Sequence, residues 1–182
     1  RMCAAAAQAL GCKPEDVLVS STGVIGQRIN VEAVETAIPA LCAALERSAE
    51  ASDAAAHAIM TTDTTKKEVA VETTVGGKTV RMGGVAKGSG MIHPNMGTML
   101  CFLTTDCAIS PEMIKTALLE TVSVSFNRIS VDGDTSTNDT CCVLANGLAG
   151  NEPITAKGPD YDAFLAALRA LCTELAKKMA SD

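Results

Sequence analysis

The spacing of apolar residues along the chain alternates between helical and strand periods. The alanine-rich residues 2–10 favour a helix that ends at Gly11. Asn30 is predicted to cap a second helix, in which Pro39 introduces a break or a kink. The predicted buried stripe of that helix consists of Val34, Ile38, Leu41 and Leu45. Asp53 is predicted to cap a short third helix over residues 54–58.

Strand patterns occur at several other places. Residues 17–20 and 59–62 are short apolar runs that predict buried strands. Residues 67–82 alternate apolar and polar side chains around the pair Gly76-Gly77, which is typical of a β-hairpin. A largely apolar strand is predicted over residues 98–105, and another apolar run covers 141–148.

Two helices are predicted in the second half. Ser110 followed by Pro111 is a helix-start signal, for a helix that ends near Ser123. An amphipathic helix extends from Asp160 to the chain end. The order of elements predicts a mixed fold of the α/β or α+β class.

The amino-acid composition argues against several classes of function. The 182 residues are 47% hydrophobic and 20% charged, which is typical of a soluble globular domain. The formal charge of −6, without a long basic run, argues against nucleic-acid binding, and no apolar run approaches the roughly 20 residues that span a bilayer. The eight cysteines form no C-x-x-C pair and there are only two histidines, so we expect no metal site. We interpret the cysteines as small core residues in a reducing, cytoplasmic compartment.

The most unusual stretch is residues 83–100, which is rich in glycine and contains the junction Gly97-Thr98. A threonine hydroxyl becomes a good nucleophile when its own α-amine acts as the base, which requires cleavage of the preceding peptide bond. Phosphate binding by Gly83–Gly90 is the rival reading. It is disfavoured because Lys87 precedes Gly88-Ser89, so the G-x-x-x-x-G-K-[ST] arrangement is missing.

Residues 87–100 closely resemble the autocleavage segment of the ornithine/glutamate N-acetyltransferases of arginine biosynthesis. Further blocks of resemblance follow the family order and cover essentially the whole chain. These blocks are Ser21-Thr22-Gly23-Val24-Ile25-Gly26, Thr61-Thr62-Asp63-Thr64 and Asp132-Gly133-Asp134-Thr135-Ser136-Thr137-Asn138-Asp139. The resemblance implies a self-cleaving, N-terminal-nucleophile acyltransferase fold of the ornithine acetyltransferase/DmpA type, with sheets layered with helices.

The resemblance also implies roles for individual residues. Cleavage between Gly97 and Thr98 would free Thr98 as the nucleophile that carries an acetyl group from N-acetylornithine to glutamate. Thr22 and Gly23 match the oxyanion-hole pair, whereas Thr61 and Lys87 match substrate-binding positions, as does Thr98 itself. Without its glycine neighbours, Lys87 is better interpreted as a solvated surface lysine. On sequence alone, Thr22 and Thr61 are equally well interpreted as threonines bonded to nearby turns. His93 is interpreted as structural.

The family pattern also implies an incomplete chain. It assigns residues 1–97 to the C-terminal part of an α-chain region and 98–182 to the N-terminal part of a β-chain region, within one structural unit. The family continues into an E-G-A-T-K segment with a substrate-binding glutamate, so we expect a fragment, and Gly97 stands where the family usually has alanine. The expected partners are the α and β chains of one precursor, as a heterotetramer. No cofactor is expected, and acetyl-CoA as a co-substrate is left open. The alternatives are a related self-cleaving amidohydrolase and a catalytically incomplete fragment.

Overall fold

The computed structural model describes residues 1–93 and 99–182, and it divides into two compact units, Arg1–Ala55 and Ala56–Asp182. The predicted processing boundary at residue 97 concerns the covalent chain and stays a prediction. Three α-helices begin in the first unit: α1 (Met2–Leu10), α2 (Val31–Ala43) and α3 (Ala49–Ala58).

Local helix signals in the first unit are confirmed. Helix α1 ends at Gly11, whose φ of 71° is the left-handed conformation that glycine adopts readily. The Asn30 side chain accepts a hydrogen bond from the Ala33 N–H at 3.0 Å, as its predicted capping role requires.

Most predictions that depended on burial in the first unit are wrong, although Ile38 of the predicted stripe is buried. Residues 17–20 form no strand, and Leu18 is 68% exposed. A strand needs a partner for its backbone groups, and residues 1–55, all of which are described, contain no strand. Leu41 and Leu45 are also exposed, and α2 continues through Pro39 without a break.

The third helix begins earlier than expected, and no strand follows it. Ser48, rather than Asp53, caps α3, because its hydroxyl accepts the Ala51 N–H at 3.0 Å. Residues 59–62 are a turn and not a strand. The Asp63 carboxylate accepts the Thr61 N–H at 3.2 Å, a local side-chain bond that competes with strand pairing.

The second unit is built on one four-stranded sheet in the order β1-β2-β3-β4. The predicted hairpin is confirmed, with Gly76 and Gly77 at φ of 55° and 74°. The pairs β1–β2 and β2–β3 are antiparallel, and β3–β4 is parallel. The strands are β1 (Lys67–Val75), β2 (Lys78–Lys87), β3 (Leu100–Thr105) and β4 (Thr140–Ala145).

Two helices complete the second unit, α4 (Pro111–Val122) and α5 (Pro159–Ala180). Ser110 caps α4 as predicted, and α5 packs along β1 and β2. Its buried stripe is the core of this unit and includes Phe164, Leu168, Leu171, Leu175 and Met179. The mixed α/β class is therefore confirmed. Among the described helices, none has the length and apolar character needed to cross a membrane.

Gly83 and Gly84 belong to strand β2, so the loop that the sequence analysis began at residue 83 starts only at Gly88. A Cβ at Gly84 would lie 2.5 Å from Leu103 Cδ2 and 3.0 Å from Leu175 Cδ1. Glycine at this position thus lets the neighbouring strand and α5 close onto the sheet.

The cysteines divide into core and non-core positions. Cys101, Cys107 and Cys172 are buried, as predicted, whereas Cys12 is exposed. Burial raises the pKa of the Cys107 thiol to about 11, and it also raises the pKa of Cys172. These core thiols are therefore protonated and poorly nucleophilic at neutral pH.

Candidate functional site

Strand directions bring distant parts of the sequence to one end of the sheet. Strands β1, β3 and β4 begin at this end and β2 ends there, because Lys67 pairs with Ala86, and Leu100 pairs with both Lys87 and Thr140. We call this the site end and define it by residues 61–67, 87–93, 99–100 and 132–140. The described residues of three of the four sequence blocks singled out above therefore lie together.

Two of the three predicted substrate-binding residues, Thr61 and Lys87, are in contact. Lys87 Nζ donates to Thr61 Oγ1 at 3.2 Å. Lys87 is only 3% exposed, so it is not the solvated surface lysine of the alternative reading, whereas Thr61 is exposed. Burial lowers the pKa of Lys87, and the charges of Asp63 and Asp139 oppose that shift. A partly desolvated ammonium beside a hydroxyl is suited to holding a carboxylate.

Asp63, for which the sequence predicted no role, binds the backbone at Thr61 and directly after Lys87. Its carboxylate accepts the Gly88 N–H at 2.7 Å and the Thr61 N–H at 3.2 Å. Lys67 Nζ donates to the same carboxylate at 2.7 Å. Burial raises the pKa of Asp63, but these three hydrogen bonds outweigh it, so the pKa is lowered overall. The spacing of Asp63 and Lys67, four residues apart, was the available sequence signal.

Lys67 is a fully buried cation with two carboxylate partners. Besides Asp63, its ammonium donates to Asp182 Oδ2 at 2.5 Å and to the Thr65 carbonyl at 3.3 Å. Asp182 also accepts hydrogen bonds from the Thr64 N–H and hydroxyl. The bond from Lys67, followed by those from Thr64, lowers the pKa of Asp182 to about 2. The Asp63 and Asp182 carboxylates are therefore stabilised in their charged forms, and both are paired with Lys67.

A second aspartate holds the described part of the glycine-rich loop. Asp132 accepts the Met91 N–H at 2.5 Å and the Ile92 N–H at 3.0 Å. Met91 has a φ of 53°, a left-handed conformation that is uncommon for a residue with a side chain. The bond from the Met91 N–H is the main cause of the lowered pKa of Asp132. The polar loop after residue 131 thus anchors the loop that follows Lys87.

Gly97 and Thr98 lie outside the described residues, but the residue that follows them is firmly held. The Met99 N–H donates to Asp139 Oδ1 at 2.9 Å, and the Met99 carbonyl accepts the Thr140 N–H at 3.0 Å. Met99 is only 3% exposed. The second oxygen of Asp139 is buried and has no hydrogen-bond partner among the described residues. Burial raises the pKa of Asp139 against the opposing effects of the Met99 N–H and Lys87.

Thr22 and Gly23 belong to the first unit, where they lie in an irregular stretch. A Cβ at Gly23 would meet no atom within 4 Å, so local crowding does not explain the glycine. Their predicted role as the oxyanion hole for Thr98 stays a prediction.

No metal centre forms among the residues that the structure describes, since no three His, Cys, Asp or Glu side chains are grouped to hold an ion. His93 is exposed, and its Nδ1 lies 3.4 Å from Ser130 Oγ. It stays interpreted as structural.

Two curated proteins and one solved structure are similar to this chain. The Arginine biosynthesis bifunctional protein ArgJ of Synechococcus sp. is 54% identical over 97% of this chain, and the protein of the same name from Bacillus subtilis is 50% identical over 97%. In both cases the match covers 42% of the relative, so the chain spans about two fifths of the length of these curated relatives. The crystal structure of Arginine biosynthesis bifunctional protein argJ from Bacillus halodurans is 48% identical, with a TM-score of 0.43 over 44% of this chain and 38% of that one.

The sequence model of the ArgJ family matches residues 1–182, the whole of the chain. Together with the two relatives at about half identity, this match confirms the resemblance that the four sequence blocks indicated. The chain belongs to the ArgJ family.

Proposed function

We propose that the protein transfers an acetyl group from N-acetylornithine to glutamate through an acetyl-threonine formed at Thr98, as a step of arginine biosynthesis. Family membership supports this proposal, because the relatives are named as bifunctional proteins of arginine biosynthesis. Both substrates are amino acids that carry an α-carboxylate, so the enzyme needs a cation to bind them.

The observation that carries the proposal is the hydrogen bond between Lys87 Nζ and Thr61 Oγ1 at 3.2 Å. These residues are 26 positions apart, and the family resemblance gives both a substrate-binding role. Lys87 also pairs in register with Leu100, two positions after Thr98 in the chain. A substrate carboxylate on Lys87 would therefore bind close to where the chain of the nucleophile enters β3.

The chemistry assigned to Thr98 is balanced by its own α-amine. After cleavage of the Gly97–Thr98 bond, the free amine takes the hydroxyl proton as the oxygen attacks the acetyl carbonyl carbon. Collapse of the tetrahedral oxyanion breaks the C–N bond, and the proton passes to the departing nitrogen of ornithine. The amine of glutamate then attacks the threonine ester, which regenerates the hydroxyl and yields N-acetylglutamate.

Further features belong to the same proposal. Thr22 and Gly23 would supply the donors that stabilise the oxyanion, a contribution typically worth about 3–4 kcal/mol per donor. The two processed chains would assemble as a heterotetramer in the cytoplasm. No cofactor takes part in this scheme, and acetyl-CoA could serve as an alternative acetyl donor.

The processing step is tested first by intact-mass analysis of the full-length protein under denaturing conditions. We expect two fragments that meet at Gly97/Thr98, and one uncut chain for Thr98→Ala. Thr104→Ala is the matched control, because Thr104 is an exposed threonine of strand β3 and should leave cleavage unchanged. Cleavage that persists in Thr98→Ala would show that another agent cuts the chain.

The transfer step is tested on the processed protein with N-acetylornithine alone. We expect one acetyl group on the fragment that begins at Thr98, and its release as N-acetylglutamate when glutamate is added. Release as acetate with water as the acceptor would instead indicate the amidohydrolase. Absence of any label in a fully processed protein would overturn the proposed nucleophile.

A further inference from the structure

We infer that Asp63 is a positioning residue for substrate binding, which sets the distance between Thr61 and Lys87 by holding the backbone beside each of them. The inference rests on the proposed function, because it concerns how the carboxylates of N-acetylornithine and glutamate are bound. Asp63 itself does not touch the substrate. Its effect is transmitted through the two residues that do.

The two oxygens of Asp63 bind different parts of the chain. Oδ2 accepts the Thr61 N–H at 3.2 Å, and Oδ1 accepts the Gly88 N–H at 2.7 Å. Thr61 lies in the turn before β1, whereas Gly88 directly follows Lys87 at the end of β2. One carboxylate thus bridges the backbone of one substrate-binding residue and the backbone next to the other.

The Asp63 carboxylate is held rigidly, because it is buried away from water and its charge is compensated by a buried cation. The Asp63 and Lys67 side chains are both fully inaccessible to solvent and lie 2.7 Å apart. Lys67 is the first residue of strand β1. Its ammonium also forms an ion pair with Asp182 Oδ2 at 2.5 Å. A buried carboxylate that is saturated by one cation and two N–H groups has little freedom to move.

The hydrogen bond from the Thr61 N–H to Asp63 also explains why Thr61 contacts Lys87 from a turn and not from a strand. An N–H donated to a side chain is removed from strand pairing, so the chain at Thr61 turns instead of continuing as the predicted strand. The turn presents the Thr61 hydroxyl to Lys87 at 3.2 Å. A neutral amide at position 63 has one acceptor oxygen instead of two, so it can hold only one of the two backbone segments in this way.

The test measures the kinetics of Asp63→Asn in the full-length, processed protein. We expect KM for N-acetylornithine and for glutamate to rise about tenfold, the effect of one lost hydrogen bond at a charged site, with little change in kcat. Asp106→Asn is the matched control, because Asp106 also accepts a β2 backbone N–H, that of Arg81 at 2.7 Å, away from Lys87. It should leave both constants unchanged.

A second variant separates positioning from folding. Asp63→Asn combined with Lys67→Gln and Asp182→Asn removes the cation and both of its carboxylate partners, so no uncompensated ion remains in this cluster. If this triple variant is folded at the assay temperature and shows the same rise in KM, the positioning role is supported. A wild-type KM in either folded variant overturns the inference, and so does failure of both variants to fold, which would make Asp63 a stability residue.

The outcomes also distinguish this inference from the proposed function. If the processed wild-type protein transfers no acetyl group to glutamate, the proposed function has failed. If it transfers acetyl and Asp63→Asn changes only kcat, the proposed function stands and the positioning role of Asp63 is wrong. A crystal structure of Asp63→Asn with an unchanged Thr61–Lys87 distance would also overturn it.

Discussion

Asp63 and Asp139 lie at the same end of one sheet, and both act electrostatically on Lys87, yet their surroundings differ. Asp63 accepts three hydrogen bonds, one of them from a buried ammonium. Asp139 accepts one, from the Met99 N–H, and its second oxygen is buried without a partner among the described residues. Burial raises the pKa of both groups, but only at Asp63 do the hydrogen bonds reverse the direction.

The two aspartates differ in that Asp63 is hydrogen-bonded directly to an ammonium and to two N–H groups, whereas Asp139 has one N–H donor and only the more remote charge of Lys87. Direct donors of this kind stabilise the charged form of a buried carboxylate. Asp63 is the anchor of a compensated cluster. At Asp139, which binds the N–H of the residue that follows the proposed nucleophile, burial penalises the charged form. Costly polar groups of this kind are more typical of functional sites than of structural ones.

Removing the cation of the Asp63 cluster should have the largest effect on stability. We expect Lys67→Met to lower the free energy of unfolding by about 3–5 kcal/mol, because two buried carboxylates then lose their counter-ion. Urea denaturation measures this change. Lys66→Met is the control, since Lys66 forms a partly exposed pair with Glu68 at 2.6 Å and should cost no more than about 1 kcal/mol. Equal costs for both variants would contradict the compensated cluster.

Replacing each aspartate by asparagine should reduce the stability of the fold by different amounts. We expect Asp63→Asn to lower the free energy of unfolding by about 2 kcal/mol at neutral pH, because a hydrogen bond to a charged group is lost. Asp139→Asn should change it by less than about 1 kcal/mol, because the amide oxygen can still accept the Met99 N–H. Both values follow from denaturation under one set of conditions. A larger loss at Asp139 would reverse the comparison.

The smallest effect is the pH dependence, which should have opposite signs at the two sites. The lowered pKa of Asp63 stabilises the fold above the unfolded carboxyl pKa, and this stability is lost as pH falls through the folded value. The raised pKa of Asp139 costs stability above its folded value, and this cost disappears as pH falls toward the unfolded value. Unfolding of wild type and both asparagine variants, followed below neutral pH, measures the two differences. Equal signs would contradict the assignment.

The sequence by itself determined the elements that depend on neighbouring residues. The hairpin followed from alternation around Gly76-Gly77, and the helix caps Asn30 and Ser110 followed from side chains that bond backbone groups three residues away. The family blocks likewise indicated Thr61 and Lys87 before any contact between them was known. These features are local or motif-based, so no knowledge of tertiary packing was needed.

Tertiary structure alone decided the features whose partners lie far along the chain. Gly83 and Gly84 are strand residues because they pair with β1 and β3 on either side. At Gly84, Leu103 and Leu175 pack where a Cβ would lie. The Asp63 anchor depends on Gly88, 25 positions away, and on the pairing of Lys67 with Asp182, 115 positions away. The local sequence around a short apolar run or a lone aspartate is the same whether or not a distant residue packs against it. Burial and charge compensation depend on that distant residue, so only the tertiary structure determines them.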